Sequence, residues 1–388
     1  MTERTSGSID AAVPLDGVRV LETAGELTGY AGRLLADLGA TVTRIAPVAD
    51  GGLADAAEPE VAWFLHRGKA EARLDTSTPD GRAELEQLVR ASDILIENEP
   101  GRHWLALLPD EVLQHPVRVT LSPFGLEGPR AGYASTDLIR LAAGGLLWLG
   151  GYPDAEPVAP FGDQSSIATG LFGAVAAIFG LLERESGRPA PSLDVSSQEV
   201  LTQALETSIP DFELTGKLRR RLGDMPREAG TGMYPCADGY ISMVAGRLGT
   251  ARAWTRLREW LVAEGTPAAE ELMTHDWETL PFRQRPESVQ RFGEIFFSFT
   301  STRTKQELYH EAQARGIALS PVNTLAEVLA DPQLAARSFF HPETQPGTGV
   351  TAQMPSAPFR LTDRSAAAVA SKPGAPELPS EPVLVTDA

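Results

Sequence analysis

Between Gly17 and Pro47 the chain reads GVRVLETAGELTGYAGRLLADLGATVTRIAP. Apolar Val18, Val20 and Leu21 predict a short buried strand, Leu34, Leu35 and Leu38 fall at helical spacing, and ATVTRI returns to alternation. Strand, helix, strand is a βαβ unit, and it implies a parallel sheet. The rhythm repeats in TPDGRAELEQLVRASDILIENEPG, where Thr78 or Asp80 starts a helix and Leu85, Leu88 and Val89 form its inner face. The strand that follows ends in Glu97 and Asn98. Ligands of open α/β sheets gather at the carboxyl ends of strands, so Asn98–Gly101 is a candidate binding loop. A third strand, Val117–Leu121, ends in a loop with two glycines and two prolines.

TDLIRLAAGGLLWLGG reads as a helix broken at Gly144–Gly145. From Ser165 to about Glu185 a long helix is apolar on nearly all faces, which predicts burial, and Asp163 stands at its mouth. SLDVSSQEVLTQALET reads as a strand feeding another helix. Lys217–Gly232 mixes charge and glycine as a linker does, and MYPCADGYISMVAG is hairpin-like with its turn at Cys236–Gly239. Helical patterning then runs from Thr250 to about Ala330, and the Pro-rich end reads as a poorly ordered tail.

At 388 residues the chain exceeds one ordinary hydrophobic core, so two domains are expected. Lys and Arg total 34 against 52 Asp and Glu, a net charge of −18 that repels phosphate backbones and anionic lipid. No nucleic-acid or membrane partner is expected, and an anionic ligand needs local basic groups and backbone N–H donors. The single cysteine, Cys236, excludes an internal disulfide and a Cys-based metal cluster. The six histidines show no metal-ligand spacing, so no metal is expected. AGELTGYAG lacks the GxGxxG of a dinucleotide site, which argues against nicotinamide or flavin. The N-terminus has no apolar signal core, and the best apolar run reads as too short and Gly-rich to span a bilayer, so a cytoplasmic location is expected.

PLDGVRVLE, GRLLADLGATVTRI, HRGKAEARLD, LSPFGLEGP, TDLIRLAAGGLLWLGG, YPCADGYIS and GIALSPVNTLAEVLADPQLAAR occur in an order that resembles the family III CoA-transferases. This is the CaiB/BaiF group, with formyl-CoA transferase and the α-methylacyl-CoA racemases. The resemblance covers roughly residues 14 to 340. It implies an α/β fold with a Rossmann-like CoA-binding domain over residues 1–200 and a linker over 201–228. A smaller α+β domain over 229–330 and a C-terminal segment, 331–388, returning to the large domain complete it. It implies an interlocked homodimer with coenzyme A or acyl-CoA as substrate and no metal. The activity implied is acyl-CoA:carboxylate CoA transfer through an aspartyl mixed anhydride. Alternatives on the same fold are a CoA-ester lyase, isomerase or racemase-like enzyme, or a catalytically silent subunit paired with an Asp-bearing paralogue.

Carried over residue by residue, the family's nucleophile corresponds in type and preceding glycine to Asp163, but its distance from the helix glycine matching Gly170 points to Ser166. Asp163 can be the nucleophile, the N-cap of the helix, or a general base. Ser166 as nucleophile would need a base, and no histidine is placed to serve it. The racemases' His–Asp pair reads Thr136–Asp137 here, and Asp137 matches an acidic position beside the active site. Arg67, Gly68 and Lys69 match a loop that contacts CoA adenosine and phosphates. Asn98 and Gly101 match the next contact loop, with Arg102 as a phosphate partner and Glu99 an unwelcome charge beside it. Ala46 and Pro47 stand where members carry a further CoA contact, and Arg227–Gly232 holds the place of a glycine loop.

Overall fold

Successive strand residues point to opposite faces of a sheet, so apolar runs such as Val20–Leu21 and Ile94–Leu95–Ile96 supply two cores at once. The computed structural model describes residues 14–47, 59–99, 101–224, 226–246, 251–345 and 348–358. Six strands form one sheet: β1 (Arg19–Thr23), β2 (Thr41–Pro47), β3 (Ala70–Leu74), β4 (Ile94–Glu97), β5 (Val117–Ser122) and β6 (Ser192–Ser196). Their order is β3-β2-β1-β4-β5-β6 and every neighbouring pair is parallel. The strand order reverses between β1 and β4, which opens a crevice at their carboxyl ends.

The connecting helices are α1 (Gly29–Asp37), α2 (Pro59–His66), α3 (Pro79–Arg90), α4 (Gly101–Leu105), α5 (Asp110–Leu113), α6 (Asp137–Ala143) and α7 (Gln164–Glu185). Val20, Ile94, Ile96, Val117 and Leu121 pack with Leu34 and Leu35 of α1 and Ala174, Ala177 and Leu181 of α7. Leu21, Ile45 and Leu95 pack on the other face with Leu85 and Val89 of α3 and Leu105 of α4. Thr78 caps α3 by accepting from the Gly81 N–H at 3.1 Å.

The α7 helix departs from the expectation of burial on all sides. Apart from Leu181 its buried face is made of small residues, because backbone must approach the sheet closely there. A Cβ on Gly173 would lie 2.8 Å from Leu121, one on Gly170 2.8 Å from Tyr30, and one on Gly180 would overlap Val117. The large residues Leu171, Phe172, Val175, Phe179 and Leu182 face outward and are exposed. At 22 residues, about 33 Å long at 1.5 Å per residue, the helix is long and apolar enough to cross a membrane, which corrects the expectation that it is too short. Here its glycine face is packed against β5 and α1.

After β6 come α8 (Ser197–Gln203) and α9 (Ser208–Thr215), then an irregular run clamped by Arg221, which donates to the carbonyls of Trp148, Tyr152 and Ala155. A second core centres on an antiparallel sheet of β7 (Thr231–Cys236), β8 (Gly239–Val244) and β9 (Ala318–Pro321). It packs against α10 (Ala251–Ala263), α12 (Pro286–Thr300) and α13 (Lys305–Ala314), with α11 (Leu280–Arg283) between the first two. β9 interrupts a stretch expected to be wholly helical. Its four residues are strand because Leu319 pairs with Met243 across the sheet, a partner far away in sequence. Beyond α14 (Leu325–Leu329) and α15 (Pro332–Ala336), a hairpin of β10 (Phe340–Thr344) and β11 (Thr351–Pro355) returns to the first sheet's side of the molecule, against Arg67. The Pro-rich end lies outside the described residues.

Gly180→Ala should lower the melting temperature, as overpacking of this kind costs about 1–3 kcal/mol. Gly293→Ala on α12, where an added Cβ meets nothing within 4 Å, should raise it, since alanine is worth about 0.5–1 kcal/mol more than glycine inside a helix. Thermal melts that move in the same direction for both would contradict this packing.

Candidate functional site

The loop leaving β1 and the loop leaving β4 meet at the point where strand order reverses. Asn98 is buried, its backbone N–H donates to Thr23 Oγ1 at 3.3 Å, and its side-chain oxygen accepts from the same hydroxyl at 3.3 Å. Gly25 must be glycine, because a Cβ would overlap the Asn98 side chain, and a Cβ on Gly101 would overlap Thr23. Asn98 and Gly101 therefore pin the two loops together. Arg102 is the half-exposed cation at this edge, 3.5 Å from Glu99 and 3.9 Å from the buried Glu97.

From the β1 loop Glu26 reaches a buried cluster. Arg140 of α6 is 1% exposed, and its guanidinium is the hub. Nε donates to Ser165 Oγ at 2.8 Å, Nη1 to Ser135 Oγ at 3.1 Å and Nη2 to Ser166 Oγ at 3.0 Å. Both ends of the fork also reach the Glu26 carboxylate, Nη1 at 3.4 Å from Oε2 and Nη2 on Oε1. Ser166 Oγ donates to Glu26 Oε1 at 3.3 Å.

Asp163 occupies the N-cap position of α7, yet its carboxylate makes no capping hydrogen bond, which corrects the capping expectation. The cap comes from Asp137 at the start of α6, whose Oδ1 accepts from the Ser165 N–H at 2.7 Å and the Ser165 hydroxyl at 2.6 Å. Asp163 is left exposed and available to a ligand. Partial desolvation, then the Asp137 and Glu26 carboxylates, push its carboxyl above the ordinary aspartate range, and Arg140 opposes them. Ser166 is buried within the network.

Both charged side chains of the Arg67–Gly68–Lys69 loop are held by groups of the chain itself. Arg67 is buried, with Nη1 donating to Glu343 Oε2 at 2.7 Å and lying 3.2 Å from His341 Nε2, and Nη2 bonded to the Pro355 carbonyl. The Lys69 ammonium bonds Glu22 Oε2 and the Gly29 carbonyl, each at 2.7 Å, with 1% and 0% exposure for the two charged side chains. Burial pushes the Glu22 carboxyl up, against the pull of Lys69. A buried cation must be neutralised, and the nearest carboxylates hold both. Gly68 alone is open: at φ +75 its α-carbon has nothing within 4 Å of an added Cβ. The Arg227–Gly232 stretch is likewise drawn inward. Glu228 and Ala229 are buried, the Ala229 N–H donates to the Arg283 carbonyl at 2.9 Å, and the Gly230 N–H donates to Tyr234 Oη at 3.1 Å.

Glu26 and Arg140 were missed by sequence reasoning. A signal existed for each: Glu26 follows a strand at its carboxyl end, and Arg140 is a lone charge inside apolar LIRLAA.

Lys69→Met should cost about 3–5 kcal/mol, the penalty for stranding a buried partner charge, and adding Glu22→Gln should recover most of it. Chemical denaturation showing an unchanged midpoint in the single variant would mean that Lys69 is not an anchor. The Asp163 carboxyl should titrate above the ordinary aspartate value of about 4, and Asp137→Asn, which removes a neighbouring negative charge, should bring it down. Carbon-detected NMR titration reads both midpoints.

Comparison with known proteins bears on what this site serves. The model of the family described as CoA-transferase family III matches residues 15–379. Succinyl-CoA:(R)-benzylsuccinate CoA-transferase subunit BbsE of Thauera aromatica is 30% identical over 363 residues, spanning 88% of this chain and 87% of that protein. The succinyl-CoA–L-malate CoA-transferase alpha subunit of Chloroflexus aurantiacus is 29% identical over 363 residues, 87% of this chain and 80% of its own. A solved structure of a CAIB/BAIF family protein from Brucella suis superposes with a TM-score of 0.74 at 25% identity, covering 90% of this chain and 93% of that one. The chain belongs to CoA-transferase family III, a family of enzymes that move CoA between acids.

Proposed function

We propose that this chain transfers CoA from a short dicarboxylyl-CoA donor, succinyl-CoA, to a second carboxylic acid, with Asp163 as the nucleophile. The observation that carries the reading is that Asp163 is exposed and uncommitted at the mouth of α7, because Asp137 has taken over the cap. The donor is suggested by the names of the two relatives, both succinyl-CoA transferases.

The chemistry balances without an added reactant. The Asp163 carboxylate attacks the thioester carbonyl and expels CoA thiolate, forming a mixed anhydride. The thiolate attacks the aspartyl carbonyl, releasing the donor acid and leaving an aspartyl thioester. The acceptor carboxylate then attacks that thioester, and the thiolate returns to the acceptor's carbonyl, regenerating Asp163. A carboxyl group with a raised pKa is the better nucleophile once ionised, which is the direction its neighbours impose. Ser166 is less suited, because its hydroxyl is already spent between Arg140 and Glu26. CoA phosphates would meet the open Gly68 backbone and half-exposed Arg102, with Asn98 and Gly101 shaping the crevice.

A second copy of the chain covers the outward apolar face of α7, where Phe179 is 60% and Leu182 55% exposed, with Phe161 at 98% beside the helix start. The lone Cys236 and the thiol chemistry of CoA fit a reducing, cytoplasmic setting.

A second reading has its own support. Arg67 and Lys69 are consumed internally, and both relatives are named as subunits. In that reading this chain is the silent half of a pair whose other half carries the nucleophile. Purified chain incubated with succinyl-CoA and hydroxylamine should gain a hydroxamate on the Asp163 peptide, detected by mass. Asp163→Ala should lower kcat on the order of 10⁴-fold or more. A variant that keeps its rate rules out Asp163, and a wild-type chain that neither binds CoA in calorimetry nor turns over alone supports the silent subunit.

A further inference from the structure

Arg140 spends its whole guanidinium inside the molecule, yet the carboxylate on its fork belongs to a residue that is not buried. The Arg140 side chain is 1% exposed and the Glu26 side chain 49%. Glu26 lies across both ends of the fork, and Oε1 also accepts from the Ser166 hydroxyl. The other contacts of the guanidinium are the neutral hydroxyls of Ser135, Ser165 and Ser166. Arg140 and the Ser166 hydroxyl make a seat for a single carboxylate, with Ser135 and Ser165 holding the guanidinium in place, and Glu26 fills it from a loop with solvent on its other side.

We infer that Glu26 is an internal stand-in for a substrate carboxylate, and that Arg140 with Ser166 reads the far carboxylate of a dicarboxylic acid or its CoA ester. The exchange is like for like. Arg140 keeps two charge-assisted hydrogen bonds throughout, so no buried cation is ever stranded. Glu26, already half in water, becomes fully solvated on leaving. Asp137 and Asp163 remain nearby, but the number of carboxylates on the guanidinium stays at one. The CoA ester of a monocarboxylic acid has only an alkyl far end to offer, and an alkyl end cannot displace Glu26. The seat thus discriminates by the second carboxylate, and Glu26 sets the threshold a ligand must exceed.

The inference rests on the dicarboxylate reading above for its place in the reaction, but its test is binding and does not need transfer to occur. Titration calorimetry on the full chain carrying Asp163→Ala, which cannot form the anhydride, should show succinyl-CoA binding at least about tenfold tighter than butyryl-CoA, the worth of one charge-assisted hydrogen bond. Adding Glu26→Gln, which keeps the shape and removes the competing charge, should tighten succinyl-CoA about tenfold and leave butyryl-CoA unchanged. Succinyl-CoA should also raise the wild-type melting temperature more than butyryl-CoA does, a measurement that needs no variant to fold. Binding of neither ester, equal binding of both, or a Glu26→Gln change that shifts both alike overturns the inference. The preference is read in a chain that cannot carry out transfer. Loss of transfer chemistry and loss of the carboxylate seat are therefore separate results.

Discussion

One buried guanidinium organises the loops around the mouth of α7. A charge removed from water must find opposite charge and hydrogen bonds, or it costs several kcal/mol. Arg140 finds them on three separate pieces of chain: the β1–α1 loop through Glu26, its own helix start through Ser135, and the first turn of α7 through Ser165 and Ser166. Those pieces are far apart in sequence, and satisfying one cation fixes their relative positions. The consequence for Asp163 is indirect. Because Asp137 reaches across to cap α7, the residue standing in the cap position is released for other work.

The same rule governs the Arg67–Gly68–Lys69 loop in the opposite sense. Two cations that look like phosphate ligands are drawn inward, Lys69 to Glu22 of the interior strand β1 and Arg67 to the C-terminal hairpin. They hold the loop from two sides and leave the Gly68 backbone as its outward element. The hairpin therefore belongs to the architecture of the crevice although it lies some 270 residues later in the chain. The α7 helix shows a related division. Its glycines, most of its alanines and Leu181 serve the sheet, and Leu171, Leu182 and its phenylalanines are presented outward. A helix with two apolar faces, one of them exposed, has the same overall composition as one buried in a single core.

Local pattern determined much of this protein. The βαβ rhythm, the cap at Thr78, the break at Gly144–Gly145 and the turn at Cys236–Gly239 all follow from residue spacing and backbone preference, which act over a few positions. The ordered motifs were enough to bring the family into view, and the parallel sheet with its crevice at β1 and β4 followed. Only the tertiary structure decided the rest. Whether Arg67 and Lys69 meet a ligand or a carboxylate of their own chain depends on partners that spacing does not reveal. So does the transfer of the α7 cap from Asp163 to Asp137, and so does the pairing of Glu26 with Arg140 across 114 positions. A strand as short as β9 likewise takes its identity from β8 and not from its own four residues. Short-range preferences select elements, but a buried charge selects its partner by proximity in the folded chain, and that proximity exists only once the sheet and helices have packed.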